Sequence, residues 1–334
     1  MRPTLRAVLS LSAHFLFGAL IIYHAGPITS GLILLISVPV LGFIVVGRSF
    51  SILAVITNFL FMCGIGVLLK NGLIRWNDYV AFPPGVWIVM IMNVVIFSSV
   101  FVFSISLIFK GFTKALSRIE NTQTVTVLGL AKLSEYRDKD TGTHLDRIKK
   151  YTTTLAHYMS KLPAYQSYIS PDYISSLSLS SVLHDIGKVA VPDSILMKPG
   201  KLSPDEFEQM KNHSLFGGRV LEDIEKQIQG RSYLSIGKQV AYSHHEKWDG
   251  SGYPHGLSNE KIPLSARIVA IADVYDALCS DRVYKKAMTH EDACRIIFEG
   301  AGTHFDPKLV DLFSECSDKF KAINEQSNLS QLPQ

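Results

Sequence analysis

The chain has 334 residues, of which 47% are hydrophobic and only 19% are charged, short of the roughly one quarter charged that is usual in a soluble domain. Residues 1–109 carry just Arg2, Arg6, Arg48, Lys70, Arg75 and Asp78, a net of +4, which leaves 28 of the 33 basic and 28 of the 29 acidic residues to the other 225. That split excludes a single soluble globule, a disordered chain and a secreted disulfide scaffold, and the neutral two-thirds has no basic excess with which to release counterions from a nucleic-acid polymer.

Four apolar stretches open the chain: Ala7–Tyr23, Ile28–Val46, Ser51–Leu69 and Val86–Phe109. Each approaches the roughly 20 apolar residues that cross a bilayer. Arg2 and Arg6 precede the first stretch as they would in a signal peptide, but no small-x-small cleavage site follows well, and three more spans do. The positive-inside rule then places the N-terminus, Arg48 and the cluster Lys110, Lys114 and Arg118 in the cytoplasm. Lys70 and Arg75, in the outer loop, run mildly against the rule. The spans contain no acid and no lysine, and His14 is their only histidine. An anchor or simple sensor fits this better than a transporter, which would bury ionisable groups along a pathway.

From Lys110 to about Arg137 the chain reads as a helix leaving the membrane. Phe112, Leu116, Ile119, Val127, Leu130 and Leu133 roughly follow helical spacing. Two readings stay open: a parallel two-helix connector, or an amphipathic helix packed on the next domain.

Beyond it the sequence reads as helical throughout, with no run of strand-like alternation. Helices are expected near Leu145–Lys161, Tyr173–Ile186, Pro204–Asn212, Leu215–Glu225, Tyr233–Glu246, Leu264–Leu278, His290–Glu299 and Pro307–Phe320. Ser203-Pro204 and Asp306-Pro307 each set a capping side chain before a proline at the first helical position. The end of the chain, rich in Gln, Asn and Ser, reads as frayed. Cys63, Cys279, Cys294 and Cys316 show no C-x-x-C spacing and read as reduced thiols.

Nine histidines lie in this part, three of them directly beside an acid. In His184-Asp185-Ile-Gly-Lys188 a helix would set His184 and Lys188 on one face. His184 offers an imidazole nitrogen, Asp185 one oxygen to each of two metals, and Lys188 an ammonium for a phosphoryl group. Asp140 and His144 are also four apart. His244 and His245 are adjacent, which on a helix brings both to one site only if that site is broad or holds several ions. Asp273 and Asp276 share a helix face, and His213 stands alone. Five histidines and several carboxylates on separate helices are costly to bury without a cation, so a metal centre is expected. Glu246 and Asp249 read as groups that orient a histidine or cap a turn. His157, His255, His290 and His304 read as structural.

These residues carry a resemblance. The run Arg137-Asp-x-x-Thr-Gly-x-His144, then His184-Asp-Ile-Gly-Lys188, Met210-Lys-x-His213, His244-His-Glu-x-Trp-Asp-Gly-Ser-Gly-Tyr-Pro254 and Ala272-Asp-Val-Tyr-Asp-Ala-Leu resemble the HD-GYP family of cyclic dinucleotide phosphodiesterases, a branch of the HD-domain metallohydrolases. The likeness covers about Gly129–Phe313. It implies an all-α HD domain with added helices, so that together with the four apolar stretches the expected fold is all-α, with four transmembrane helices followed by a helical HD-type domain. It implies metal ligands Asp140, His144, His184, Asp185, His213, His244, His245 and Asp273. The catalytic pair would be Asp185 and Lys188, and Lys188, Tyr253, Arg282 and Lys285 would meet the substrate. Many members carry a glutamate at the position of Asp140, and aspartate is one methylene shorter. The cofactor would be two or three divalent ions, iron or manganese. The substrate would be cyclic di-GMP, linearised to pGpG and sometimes cut on to GMP.

The organisation expected is a membrane region over 1–109, a connector over 110–134, an HD-GYP domain over 135–320 and a disordered tail over 321–334. The protein would sit as a multi-pass homodimer in a bacterial inner membrane with its catalytic domain in the cytoplasm. The Gly-Tyr-Pro loop would serve as a lid, or as a docking surface for a diguanylate cyclase or another signalling protein. The rival readings are a catalytically weak binding module and a phosphodiesterase for another cyclic dinucleotide.

Overall fold

The apolar stretches of the N-terminal third all form helices in the computed structural model, which describes residues 3–26, 29–75, 83–137, 143–228, 233–281 and 286–329. The chain divides into two units, Met1–Glu120 and Asn121–Gln334. The first unit contains α1 (Pro3–Ala25), α2 (Ser30–Val45), α3 (Arg48–Lys70) and the first part of α4 (Pro84–Tyr136), and the division falls inside α4.

Within the first unit, α1, α3 and α4 are long and apolar enough to span a bilayer. α2 has 16 residues. At 1.5 Å per residue it is about 24 Å long, short of the roughly 30 Å hydrocarbon core. The second expected span is therefore shorter than read. Large apolar side chains such as Leu9, Phe17, Ile33 and Phe103 point outward, as they would if lipid replaced a protein core. Polar side chains tie the helices from within: Asn58 Nδ2 donates to Leu35 O at 2.7 Å, Ser51 Oγ to Pro39 O at 2.8 Å and Trp87 Nε1 to Met62 O at 3.1 Å. Such bonds hold apolar bundles where solvent gives no hydrophobic drive.

The second unit starts with the end of α4 and continues through α5 (His144–Met159), α6 (Pro171–Ser181), a 3-10 turn (Ile186–Ala190), α7 (Asp193–Leu196), α8 (Pro204–Glu225) and α9 (Tyr233–Ser243). A second 3-10 turn (Asn259–Lys261), α10 (Leu264–Cys279), α11 (His290–Glu299) and α12 (Pro307–Leu329) complete it. Among the described residues there is no strand, only an isolated bridge between Ala301 and Phe305. α10 is buried almost throughout and packs on α5, α9, α11 and α12. Tyr151, Tyr275, Phe313 and Phe320 fill the core among these helices. A second cluster joins Val127 and Ala131 of α4 to Leu145, Leu183, Leu221 and Leu234.

Several boundaries depart from the sequence reading. The capping box at Ser203 and Glu206 starts α8 as expected, but α8 runs on as one helix to Glu225. His213 is thus in a helix interior rather than between two helices. The tail read as disordered from 321 is helical to Leu329, since Ile323 packs on the core and Ser327 is buried.

The connector also differs from its reading. Its buried face is Val127, Ala131, Ser134 and Glu135, whereas Phe112, Leu116, Ile119, Leu130 and Leu133 are 44–68% exposed. Those five fall at alternating steps of four and three, with Gln123 and Thr126 at the two places between. One side of the helix is therefore packed on its own unit, and the other is an exposed seam of coiled-coil period.

Candidate metal centre

α6 stops at Ser181, and His184 and Asp185 follow in a turn before the 3-10 segment that carries Lys188. The expected helical pairing of His184 with Lys188 is thus replaced by a tighter path. Its cause is Gly187, where an added Cβ would lie 2.0 Å from His213 O and 2.4 Å from Gly217 N. Only a glycine lets this backbone touch α8. The contact brings Asp185 to His213: Oδ1 is 3.2 Å from His213 Nε2. His244 and His245 likewise stand just beyond the end of α9 rather than on it. Freed from the helical 100° offset, they converge on one site, with ring centroids 4.0 Å apart.

Two groups of side chains result. Asp185, His213, His244 and His245 form one, and Glu135, His144 and His184 the other; in each, the candidate ligand atoms lie within 4.8 Å of one another. Asp185 stands between the groups. Its Oδ2 is 3.2 Å from His184 Nε2 and 2.8 Å from Lys188 Nζ, while Oδ1 faces His213 and, at 3.7 Å, His244. Asp273 Oδ1 is 3.9 Å from His184 Nε2. Tyr253 stacks on His245 at 4.7 Å. Asp140, Arg282 and Lys285 lie outside the described residues.

The hydrogen bonds of the imidazoles test whether this set suits a cation. Nδ1 of His184 lies 2.9 Å from Ser181 O, Nδ1 of His213 2.7 Å from Met210 O, and Nδ1 of His244 2.9 Å from Val240 O. A carbonyl only accepts, so each Nδ1 holds the proton and each Nε2 turns a lone pair inward. Those lone pairs face a carboxylate, which also only accepts. His184 Nε2, His244 Nε2 and Asp185 Oδ1 are buried and make no hydrogen bond. Buried acceptors facing one another are unfavourable unless positive charge lies between them. A backbone-oriented imidazole with its other nitrogen presented inward is the usual arrangement around a metal. The residues therefore fit divalent ions.

The electrostatics point the same way. Burial opposes a charge on His184, but Asp185, Asp273 and Glu135 outweigh it and raise its pKa to about 10. His213 is lowered to about 4, chiefly by burial, and His245 is lowered by burial and by His244. Asp185 stays ionised despite burial because Lys188 and His184 stabilise its charge. Without a metal, His184 thus carries the positive charge that the surrounding carboxylates demand, while His213 and His245 stay neutral beside the fixed anion of Asp185.

A second tier orients the ligands. Asp276 Oδ2 accepts from His144 Nδ1 at 2.7 Å, and Arg147 grips the same carboxylate at 2.5 and 2.7 Å. Asp276 and Arg147 are 1% and 3% exposed. Replacing Arg147 with Met leaves that carboxylate without its strongest partner in the core. The expected loss is about 3–5 kcal/mol of stability, read from urea unfolding of the full-length chain by circular dichroism. A loss below about 1 kcal/mol would show that Arg147 does not hold Asp276 in this way.

Glu246 builds the Gly-Tyr-Pro loop, with its carboxylate accepting from His255 N at 2.7 Å and Leu257 N at 3.0 Å. Asp249 caps Ser251 N at 2.8 Å. Both act as turn-builders, as expected. Trp248 N and Asp249 N donate to His304 O and Thr303 O, fastening the loop to the turn before α12.

Two contributors were absent from the sequence reading as site residues, Glu135 and Arg147, while Asp276 stands in it without its partner His144. Each leaves a signal at helical period. Glu135 continues the buried stripe of Val127 and Ala131, and Arg147 stands in the stripe of His144, Ile148, Tyr151 and Leu155.

Residues 143–309, half of the chain, match the HD domain. The chain belongs to the HD-domain family. Residues 1–112 match MASE11, and with the apolar helices this makes the chain a membrane-associated protein. A cyclic di-GMP phosphodiesterase of Vibrio cholerae is 47% identical over 207 residues, which cover 62% of this chain and 42% of that protein. A 3′3′-cGAMP-specific phosphodiesterase 2 of the same organism is 38% identical over 224 residues, covering 67% of this chain and 40% of that one. A cyclic di-GMP phosphodiesterase of Thermotoga maritima is 41% identical over 184 residues, covering 55% and 46%. The chain thus spans less than half the length of each of these relatives. The HD-GYP resemblance and the all-α HD-type fold both hold.

Proposed function

We propose that this chain is a membrane-anchored, metal-dependent phosphodiesterase that opens cyclic di-GMP to pGpG. The observation that carries the reading is the ring of inward Nε2 lone pairs around Asp185. Relatives 47% and 41% identical to this chain over 207 and 184 residues are named for hydrolysis of this nucleotide.

Two or three divalent ions, iron or manganese, would be held by His144, His184, Asp185, His213, His244, His245 and Asp273, with Asp140 completing the set. When bound, such ions supply Lewis-acid charge and an acidified water for phosphodiester cleavage. The chain supplies the rest. Asp185 presents its two oxygens to different neighbours, His184 and His213, and would serve as a ligand on both sides. Lys188, held at its carboxylate, offers an ammonium to a phosphoryl oxygen as negative charge builds there. Tyr253, flat on His245, forms one wall for the substrate, and Arg282 and Lys285 take the second phosphate and the bases.

The charge pattern favours a multi-pass placement in a bacterial inner membrane, with the HD unit on the cytoplasmic side. The exposed heptad seam of α4 supports a parallel homodimer, since a second copy presents the same seam in the same register. The Gly-Tyr-Pro loop, braced by Glu246, remains the surface offered to a signalling partner.

The test incubates the full-length chain in detergent with Mn²⁺ or Fe²⁺ and cyclic di-GMP, and separates the products by chromatography. Metal-dependent pGpG, abolished by chelator, is the expected result. The relative that is specific for 3′3′-cGAMP favours a second reading, so that nucleotide is run in parallel. Turnover of neither by metal-loaded protein would overturn the enzyme reading in favour of a binding module.

A further inference from the structure

We propose that Glu135, in the last turn of α4, is a metal ligand, forming with His144 and His184 a subsite beside the one at Asp185. The inference rests on the metal-dependent reading above and adds a residue that neither the motifs nor the family match contains, since the match begins at residue 143.

Glu135 is 5% exposed, next to Ser134, which is also buried. The Ser134 hydroxyl lies 3.2 Å from Asp185 O and 3.3 Å from Ile186 O. This turn of α4 is therefore fixed against the backbone that carries Asp185. It delivers Glu135 Oε1 to 3.6 Å from His144 Nε2.

The state of His144 decides what that contact is. Its Nδ1 gives its proton to Asp276, which Arg147 holds in place. The Nε2 lone pair then faces a second acceptor, the Glu135 carboxylate. At 3.6 Å the two are too far apart for a good hydrogen bond. The distance lies between the separations of neighbouring and of opposite ligands on one ion. Donors about 2.1 Å from a metal stand roughly 3.0–3.4 Å apart in octahedral or tetrahedral geometry, and up to about 4.2 Å across an octahedron. His184 completes the subsite, as all three ligand atoms lie within 4.8 Å of one another. Its Nε2 is 3.2 Å from Asp185 Oδ2, so the two subsites adjoin through one carboxylate, in the manner of paired-ion hydrolytic centres.

The competing account is a proton in place of the ion, with His144 as an imidazolium paired to Glu135. Metal counting separates the two. The full-length chain in detergent is stripped, titrated with Mn²⁺, and analysed for bound metal and by electron paramagnetic resonance. The parent is expected to bind ions at both subsites with a spin-coupled signal. Glu135→Gln, which keeps size and shape, is expected to bind about one ion fewer per chain and to show an uncoupled six-line signal from the Asp185 subsite. Glu135→Asp keeps the charge and is expected to weaken the second ion ~10–100-fold. It stands in if the glutamine variant loses its helical spectrum.

Unchanged stoichiometry and affinity in Glu135→Gln would overturn the assignment while leaving the metal-dependent reading intact. A parent that binds no Mn²⁺ at either subsite would overturn both.

Discussion

Replacing Asp185 with Asn is expected to lower phosphodiester hydrolysis by at least ~10²–10³-fold while leaving the helical fold in place. Asparagine has nearly the same volume, so α8, the turn at His184 and the 3-10 segment need not move. What disappears is the charge. Oδ1 and Oδ2 face different imidazoles, His213 at one side and His184 at the other, and a neutral amide cannot serve a cation from both ends. Loss of one well-placed electrostatic partner costs a hydrolytic site roughly 10²–10³ in rate. A second readout follows from linkage. A ligand that binds only the native state raises stability by RT ln(1 + [L]/Kd). The parent should therefore melt at a higher temperature with Mn²⁺ than without, and the variant should lose most of that increment. Without metal the variant is expected to be somewhat less stable than the parent, because it loses the ion pair of Asp185 with Lys188 at 2.8 Å, so the increment given by Mn²⁺, not the metal-free melting temperature, is the diagnostic quantity. Parent-like turnover by Asp185→Asn would remove Asp185 from the centre.

Gly187→Ala is expected to have the largest effect of any single methyl group in the HD unit. The new Cβ would meet the carbonyl of His213 at 2.0 Å and the amide of Gly217 at 2.4 Å. Both obstacles are backbone inside α8, so no rotamer change relieves them. The 3-10 segment must separate from the helix. Overpacking of this kind costs at least about 1–3 kcal/mol, and the separation also lengthens the 3.2 Å approach of His213 to Asp185. Stability and metal affinity should therefore fall together, measured as a thermal shift and as Mn²⁺ retained after gel filtration. Ala at Gly200, where no atom lies within 4 Å but φ is +152°, tests strain alone and should leave metal retention untouched.

The contrast between local and distant partners explains what the sequence made readable. His184 with Asp185, and His244 with His245, are chain neighbours, so their shared chemistry is visible as a motif. The partnership of His144 with Asp276 spans 132 positions, and nothing local marks it. Glu135 was obscured for another reason. The large residues of the connector, such as Leu130 and Leu133, suggested the packed face, but they are exposed, and the buried stripe is built from Val127, Ala131, Ser134 and Glu135. Small and polar residues bury there because backbone must come close and a carboxylate must point inward. Helix periodicity located α5, α10 and α11 well. It erred at His184, where a glycine contact rather than local propensity sets the path, and at α8, where no breaker divides the two stretches that had been read as separate.

The last turn of α4 has a bearing on how such chains can be recombined. Ser134 bonds the backbone of Asp185 and Ile186, and Arg137 reaches Val189 O at 2.6 Å, Val191 O at 3.2 Å and the side chain of Asp193. The family match starts six residues after this anchor. A chimera joined at the family boundary would therefore graft a foreign helix end onto the centre and sever its fastening. A junction upstream of Asn121 keeps the whole clasp with the hydrolase. For this protein the exchangeable cartridge ends before the clasp, and the helix end travels with the chemistry.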